Sequence, residues 1–223
     1  AAAARLTGFE SLEARDVPAT FSQVLPGVWE YDADIGEVNH VTVTHNVGSY
    51  QFDFVANGLG SSTTIPEAKV KLIVIGTADM ADTVTVNGTA AEVRIFTGTG
   101  ADKVTLNHGD GPRAIAAEID VHQLSNYDVD RGFSPADAGN DKLVFNDVST
   151  GQHQAYLDHG RINHATAGPV FYGDDPSMPY PDVIPNVTYN GSDAADVVLI
   201  GGTSATAKTY VNTGAGAGDI TLG

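Results

Sequence analysis

The chain has no cysteine, 11 lysines and arginines in 223 residues, two methionines and one tryptophan. Without cysteine there are no disulfides, thiolate nucleophiles, iron–sulfur clusters or thiolate zinc sites. The shortage of basic residues is set against 28 aspartates and glutamates, a formal net charge of −17. The basic residues are also dispersed, with Lys208 alone following Arg161. Nucleic-acid binding needs clustered lysine and arginine against phosphates, so this balance excludes a nucleic-acid partner and anionic membrane surfaces. Long apolar runs are missing too. The longest candidate, residues 70–75, is interrupted by Lys71, far short of the roughly 18 residues of a spanning helix, so no membrane insertion is expected. The start, four alanines and Arg5, lacks the charged region and apolar stretch of a signal peptide. No G-x-S-x-G elbow, H-E-x-x-H helix, Walker loop or dinucleotide fingerprint occurs in a plausible context. Gly98-Thr99-Gly100 lacks the next glycine of that fingerprint and precedes a strand pattern.

What is present is short alternating segments. At 42% hydrophobic residues the chain has enough apolar material for a core. Residues 1–26 read as an N-terminal arm, with one or two helical turns over 9–15 that Pro18 prevents from continuing. Residues 27–68 read as a β-hairpin cap: His40-Val41-Thr42-Val43-Thr44-His45 and Tyr50-Gln51-Phe52-Asp53-Phe54 alternate with period two around a Gly-containing turn. Residues 69–223 then carry strands at 69–75, 83–86, 92–96, 103–106, 142–145, 197–200, 208–211 and 220–222, while 113–124 is ambiguous. Several follow an aspartate in the pattern D-x-φ-x-φ, where φ is apolar: Asp82 before Val84 and Val86, Asp102 before Val104 and Leu106, Asp141 before Leu143 and Phe145, Asp196 before Val198 and Ile200. Asp219 is offset by one.

The spacing of these aspartates suggests an architecture. Asp82 to Asp102 is 20 residues, Asp196 to Asp219 is 23, and Asp102 to Asp141, at 39, is about two such units. Two short strands per unit fit one coil of a β-solenoid and leave too little chain for a propeller blade. The expected fold class is therefore all-β, a parallel β-helix-like solenoid with the hairpin as its cap. Asp141 to Asp196 is 55 residues, and the excess predicts a long extruded loop within about 150–185, where residues 155–182 hold four prolines. Glycine suits tight corners between coils about 4.8 Å apart, and the aspartate then accepts backbone N–H groups at the turn. Val84, Val86, Val104, Leu106, Leu143, Phe145, Val198 and Ile200 are expected inward, Thr85 and Thr105 outward.

Two resemblances add to this reading. The strings at residues 98–106, 212–222 and 82–89 resemble the calcium-binding repeats of RTX proteins and, more closely, longer-period repeats of large bacterial extracellular β-solenoid proteins. That likeness implies calcium at corner aspartates, with Asp79, Asp82, Asp102, Asp141, Asp193 and Asp196 as candidate ligands, since hard cations take carboxylate and carbonyl oxygens. The repeat departs from the RTX pattern in having a period more than twice a nonapeptide and no double-glycine start; amide-capped corners are the competing use of the same residues. Separately, Leu12-Glu13-Ala14-Arg15-Asp16-Val17-Pro18-Ala19 resembles the LEARxxPA segment of exported planctomycete proteins, which implies an extracellular or cell-surface location and no reaction.

Histidine offers less. His153, His159 and His164 lie near Asp158, but spacings of six and five match neither helix nor strand ligand pairs, so no transition-metal site is expected; His40 and His45, on opposite faces of one strand, read as surface residues. Two functions compete. One is an extracellular structural protein, a subunit of a fibre, surface layer or adhesin that self-assembles into a homo-oligomer or filament, because the sequence stops beside a strand with no capping segment. The other is a glycan-active β-helix enzyme or a passive calcium- or glycan-binding module, for which Asp174, Asp175 and Asp182 beside Tyr172, Tyr180 and Arg161 would form the cleft. Lacking a catalytic constellation, the chain is expected to be no enzyme.

Overall fold

The computed structural model describes residues 19–123, 139–173, 184–203 and 207–223. Their regular structure is all β apart from two one-turn 3-10 helices, Glu67–Lys69 and Gly111–Arg113. The N-terminal strands are β1 (Thr20–Leu25), β2 (Val28–Asp32), β3 (Asn39–Asn46), β4 (Ser49–Ala56) and β5 (Leu59–Pro66). Then come β6 (Leu72–Gly76), β7 (Thr83–Asn87), β8 (Glu92–Phe96), β9 (Lys103–His108) and β10 (Ile119–His122). After these lie β11 (Lys142–Asp147), β12 (Gln154–Asp158), β13 (Arg161–His164) and β14 (Val170–Phe171). The last are β15 (Asn186–Asn190), β16 (Val197–Ile200), β17 (Lys208–Asn212) and β18 (Asp219–Leu222).

They form two mixed sheets. The ten-stranded sheet has the order β1-β2-β6-β8-β10-β14-β13-β12-β16-β18, and the eight-stranded sheet β17-β15-β11-β9-β7-β3-β4-β5. From β6 to β10 the chain changes sheet at each step, so β8, β9 and β10 each meet, as a parallel neighbour, the strand two positions earlier. Register follows the repeat. Val84 lies beside Val104, Leu143 and Val187 in turn, and Val86 beside Leu106, Phe145 and Tyr189. All eight are at most 2% exposed. Burying side chains of this size stabilises by about 1.5–3 kcal/mol each, and the period-two pattern is what aims them at the space between the sheets. Val198 is buried and Ile200 packs against the core from a half-buried position.

A second column runs along the same strands. Asn107 donates to the Asn87 side chain at 2.7 Å, Asn146 to Asn107 at 2.8 Å, and Asn190 to Asn146 at 2.7 Å. Identical amides stacked in register satisfy one another, as in other in-register sheets.

Several expectations are revised. Residues 20–25, assigned to the arm, are strand β1, paired antiparallel with β2 around Gly27. Phe21 packs on Phe52 and Phe54 at 4.6 and 4.7 Å, which ties it to the hairpin β3–β4. The hairpin itself forms as read, with Asn39 opposite Ala56 and Asn46 opposite Ser49. The stretch expected to be extruded is largely woven into the ten-stranded sheet. There β12, β13 and β14 make two antiparallel steps, and the outer members pair in parallel with β16 and β10. Strands β10 and β16 would otherwise present unpaired edges. The helical turns over 9–15 fall outside the described residues.

Close stacking explains two kinds of glycine. A Cβ on Gly139 would sit 0.8 Å from the Gly100 carbonyl oxygen, whereas Gly36, at φ +85°, has open space around it. Gly36→Ala is therefore expected to cost only positive-φ strain, about 1–2 kcal/mol. Gly139→Ala, which must push two backbones apart, is expected to cost more than that. Urea denaturation of both variants checks the order, and equal losses would contradict the stacking account.

Candidate functional site

The corner aspartates occupy fixed places because the strands after them are in register. Thr83, Lys103 and Lys142 are aligned, so Asp82, Asp102 and Asp141 stack in one column, with Asn39 at its foot before His40. Asp82 Oδ1 accepts the Asn39 backbone N–H at 2.6 Å, Asp102 Oδ1 that of Asp82 at 2.7 Å, and Asp141 Oδ1 that of Asp102 at 2.9 Å. Thr97 Oγ1 donates to Asp141 Oδ2 at 2.6 Å. Each carboxylate thus caps the residue ahead of the neighbouring strand, where the sequence suggested its own turn. Asp196 stands at the opposite corner, before β16, and accepts from the His153 N–H at 2.8 Å and the Ser192 N–H at 2.6 Å. These four are buried, Asp79 is half-buried with the Gly36 N–H at 2.5 Å, and Asp193 is exposed. No three of the six bring their oxygens together.

Burial sets the protonation of the column. Asp82 is pushed up to about 7, chiefly by desolvation, against the pull of hydrogen bonds from Asn39 and Thr77. Asp102 and Asp141 are also raised by burial. The second oxygens of Asp82 and Asp102 are buried without a hydrogen-bond partner. A stack of like carboxylates is tolerated when it is largely neutral.

A different cluster forms where β11 leaves the eight-stranded sheet. Leu143, Phe145 and Asp147 alternate inward, so a carboxylate enters the core one step beyond Phe145. Asp147 Oδ2 lies 3.0 Å from His153 Nδ1 and 3.0 Å from His164 Nε2. Asp147 Oδ1 accepts the Ser149 N–H at 3.0 Å and the Ser149 hydroxyl. Asp147 and His164 are buried and His153 is half-buried. Hydrogen bonds from His164 and Ser149 outweigh desolvation and hold the Asp147 carboxyl well below the usual range. His108, aligned with Asp147, packs its ring 4.8 Å from that of His164 at a tilt of 59°. It accepts the Ile115 N–H at Nδ1 and meets Thr166 Oγ1 through Nε2, each at 3.0 Å. Burial pushes its pKa down to about 4.

Sequence spacing did not find this site. The three histidines near Asp158, whose spacings of six and five indicated no shared site, divide: His159 pairs with Asp158 on an exposed turn at 2.6 Å, while His153 and His164 converge on Asp147. The antiparallel pairing of Ala155 with His164 brings them together. An inward aspartate after Leu143 and Phe145 was the available signal. His45, expected at the surface, is buried because β3 alternates Val41, Val43 and His45 inward; its ring stacks on Tyr50 at 4.6 Å.

A cleft of about 510 Å³ opens beside β10, lined by residues including Glu118, Asp120, His122, Asp158, Arg161 and Phe171. Arg161 lies over the Phe171 ring at 4.8 Å, and carboxylate oxygens of Glu92, Glu118 and Asp120 gather within 4.8 Å of one another. Of the cleft expected from sequence, Arg161 is here and Tyr172 is buried. Asp174, Asp175, Tyr180 and Asp182 lie outside the described residues. No family model matches the chain, and neither a curated protein nor a solved structure matches it.

The column makes a pH prediction with a definite sign. An unfolded aspartate ionises near pH 4, whereas folded Asp82 holds its proton to about 7. Between those values the folded state binds more protons, so the Asp82 contribution to stability is largest in acid and falls as pH rises. His108 acts oppositely over about 4 to 6.5, so the comparison must be differential. Asp82→Asn keeps the acceptor for Asn39 and removes the titration. Its stability relative to the parent is expected to improve by up to about 1.4 kcal/mol per pH unit across that window. A pH-independent difference in urea melts would refute this. Amide-capped corners also predict no rise in Tm with millimolar calcium over chelator.

Proposed function

We propose that this chain is a β-solenoid segment of an exported structural protein, a piece of a fibre, surface layer or adhesin. The observation that carries the reading is the pair of parallel ladders, in which apolar residues, asparagines and aspartates each stack on their counterparts. Such stacking yields a rod held by strand pairing and packed side chains, with no need of disulfides. The chain is acidic and its asparagine column is internally satisfied. The extracellular location rests on the LEARxxPA-like segment and the RTX-like strings.

Assembly follows the same geometry. At one end Phe21, Trp29, Tyr31, Phe52 and Phe54 pack together. At the other, β17 and β18 are the outermost strands of their sheets, and Tyr210, Ile220 and Leu222 are exposed. Ile220 is aligned with buried Val198, so it occupies an inward position on which a further coil would stack, supplied by the same polypeptide or by another copy. Edge strands of this kind pair readily.

A second reading, a glycan-binding or glycan-cutting cleft, is favoured by one observation: the carboxylates and the Arg161–Phe171 pair around the cleft beside β10. Incubation with acidic and neutral polysaccharides separates the two. The structural reading expects unchanged polysaccharide, with concentration-dependent association in sedimentation velocity and filaments in electron micrographs. Ile220→Lys, which places a charge on the stacking face, is expected to reduce that association while leaving the circular dichroism spectrum in place. A chain that stays monomeric at high concentration, or that releases defined oligosaccharides, would overturn the assembly proposal.

A further inference from the structure

We infer that Asp147, His153 and His164 form a binding site for a divalent first-row transition ion, zinc being the best fit. The three ligand atoms come from separate places in the chain: the end of β11, the residue before β12 and the end of β13. They lie within 4.8 Å of one another. Both imidazole nitrogens point at the same carboxylate oxygen, each at 3.0 Å. Two nitrogens and one oxygen converging on one point are the donor set of a three-ligand zinc site, whose fourth position is left to water or a hydroxyl. With no thiolate anywhere in the chain, imidazole and carboxylate select zinc, nickel, cobalt or iron(II) over soft ions, and the nitrogens disfavour calcium and magnesium.

The surroundings support a held ion. Ser149 fixes Asp147 through Oδ1, leaving Oδ2 for the metal, and its hydroxyl lies 3.1 Å from His153 Nδ1. His164 Nδ1 lies 3.3 Å from Thr166 Oγ1, which in turn meets His108 at 3.0 Å. The Thr166 contact lies on the ring nitrogen opposite the ligand atom and so orients His164, whereas the Ser149 hydroxyl sits at the His153 ligand atom itself and would give way to the ion. On the same ring stack, 6.4 Å from His164, Tyr189 carries a buried hydroxyl with no hydrogen-bond partner. Half-buried His153 provides the route in from solvent. Among the described residues no lysine or arginine pairs with Asp147, so a cation would supply the missing positive charge.

The ion would take the place of the contacts that the two imidazoles now make with Asp147 Oδ2. Its effect would be to join the end of β11 in the eight-stranded sheet to the antiparallel insertion of the other sheet. This proposal is independent of the assembly reading, since it concerns one chain.

The test is titration of the whole chain with zinc chloride by calorimetry, with cobalt(II) as a spectroscopic probe. The expected result is one ion per chain, visible cobalt absorption of a low-coordinate site, and a Tm that rises with zinc and returns with chelator. His153→Ala should weaken binding by at least about tenfold, and His159→Ala should leave it unchanged. Should His153→Ala misfold, the parent chain gives the answer: zinc must shift the imidazole resonances of His153 and His164 and leave those of His40 and His159 in place. Absence of saturable zinc binding, binding indifferent to His153→Ala in a folded variant, or resonance shifts elsewhere would overturn the proposal.

Discussion

The structure depends on like stacking upon like. Parallel in-register pairing carries each residue of one strand onto its counterpart about 4.8 Å away, so every side chain is judged by whether it tolerates its own kind as a neighbour. Valine, leucine and phenylalanine do so by excluding water, and asparagine does so because its amide both donates and accepts. Aspartate does so only when burial suppresses its charge or when a backbone N–H fills its oxygen. Gly100 and Gly139 meet the same constraint, where the neighbouring backbone leaves no volume for a Cβ.

The place where stacking is interrupted is where the chemistry gathers. Strands β12 to β14 reverse direction twice inside an otherwise parallel run of the ten-stranded sheet. A reversed strand has no repeat counterpart, so its residues meet unlike partners. His153 and His164 therefore face Asp147, and the loop residues 158–161 help line the cleft beside β10. The uniform ladders offer only repeated groups already paired with each other. Heterogeneous donor sets arise at the irregularity.

Much of the regular part was legible. The alternation in 40–45, 50–54, 83–86 and 103–106 places residues on the correct faces because a period of two leaves only two faces, and burial of one fixes the choice. The asparagine column was legible as well: Asn87, Asn107 and Asn146 each follow a D-x-φ-x-φ strand, and Asn190 closes the same x-φ-x-φ pattern without the aspartate. Strand β10 lies in the ambiguous stretch 113–124, and β15 has no preceding aspartate to mark it. The three-strand insertion escaped because its prolines and charges suggested a solvated excursion, whereas Ala155, Leu157 and Ile162 were enough to bury one face.

By itself, then, the sequence determined strand content, the inward and outward faces, the approximate unit length, and the chemical classes closed to a cysteine-free acidic chain. These are properties of single residues and short periods, which local sterics and solvent exposure decide. Only the tertiary structure decided which coil each aspartate caps, that the insertion joins a sheet, and that a carboxylate and two imidazoles six and seventeen residues away share one point. Those outcomes depend on the lateral register of strands distant along the chain. That register is set jointly by many cross-strand contacts, and no short stretch of sequence contains it.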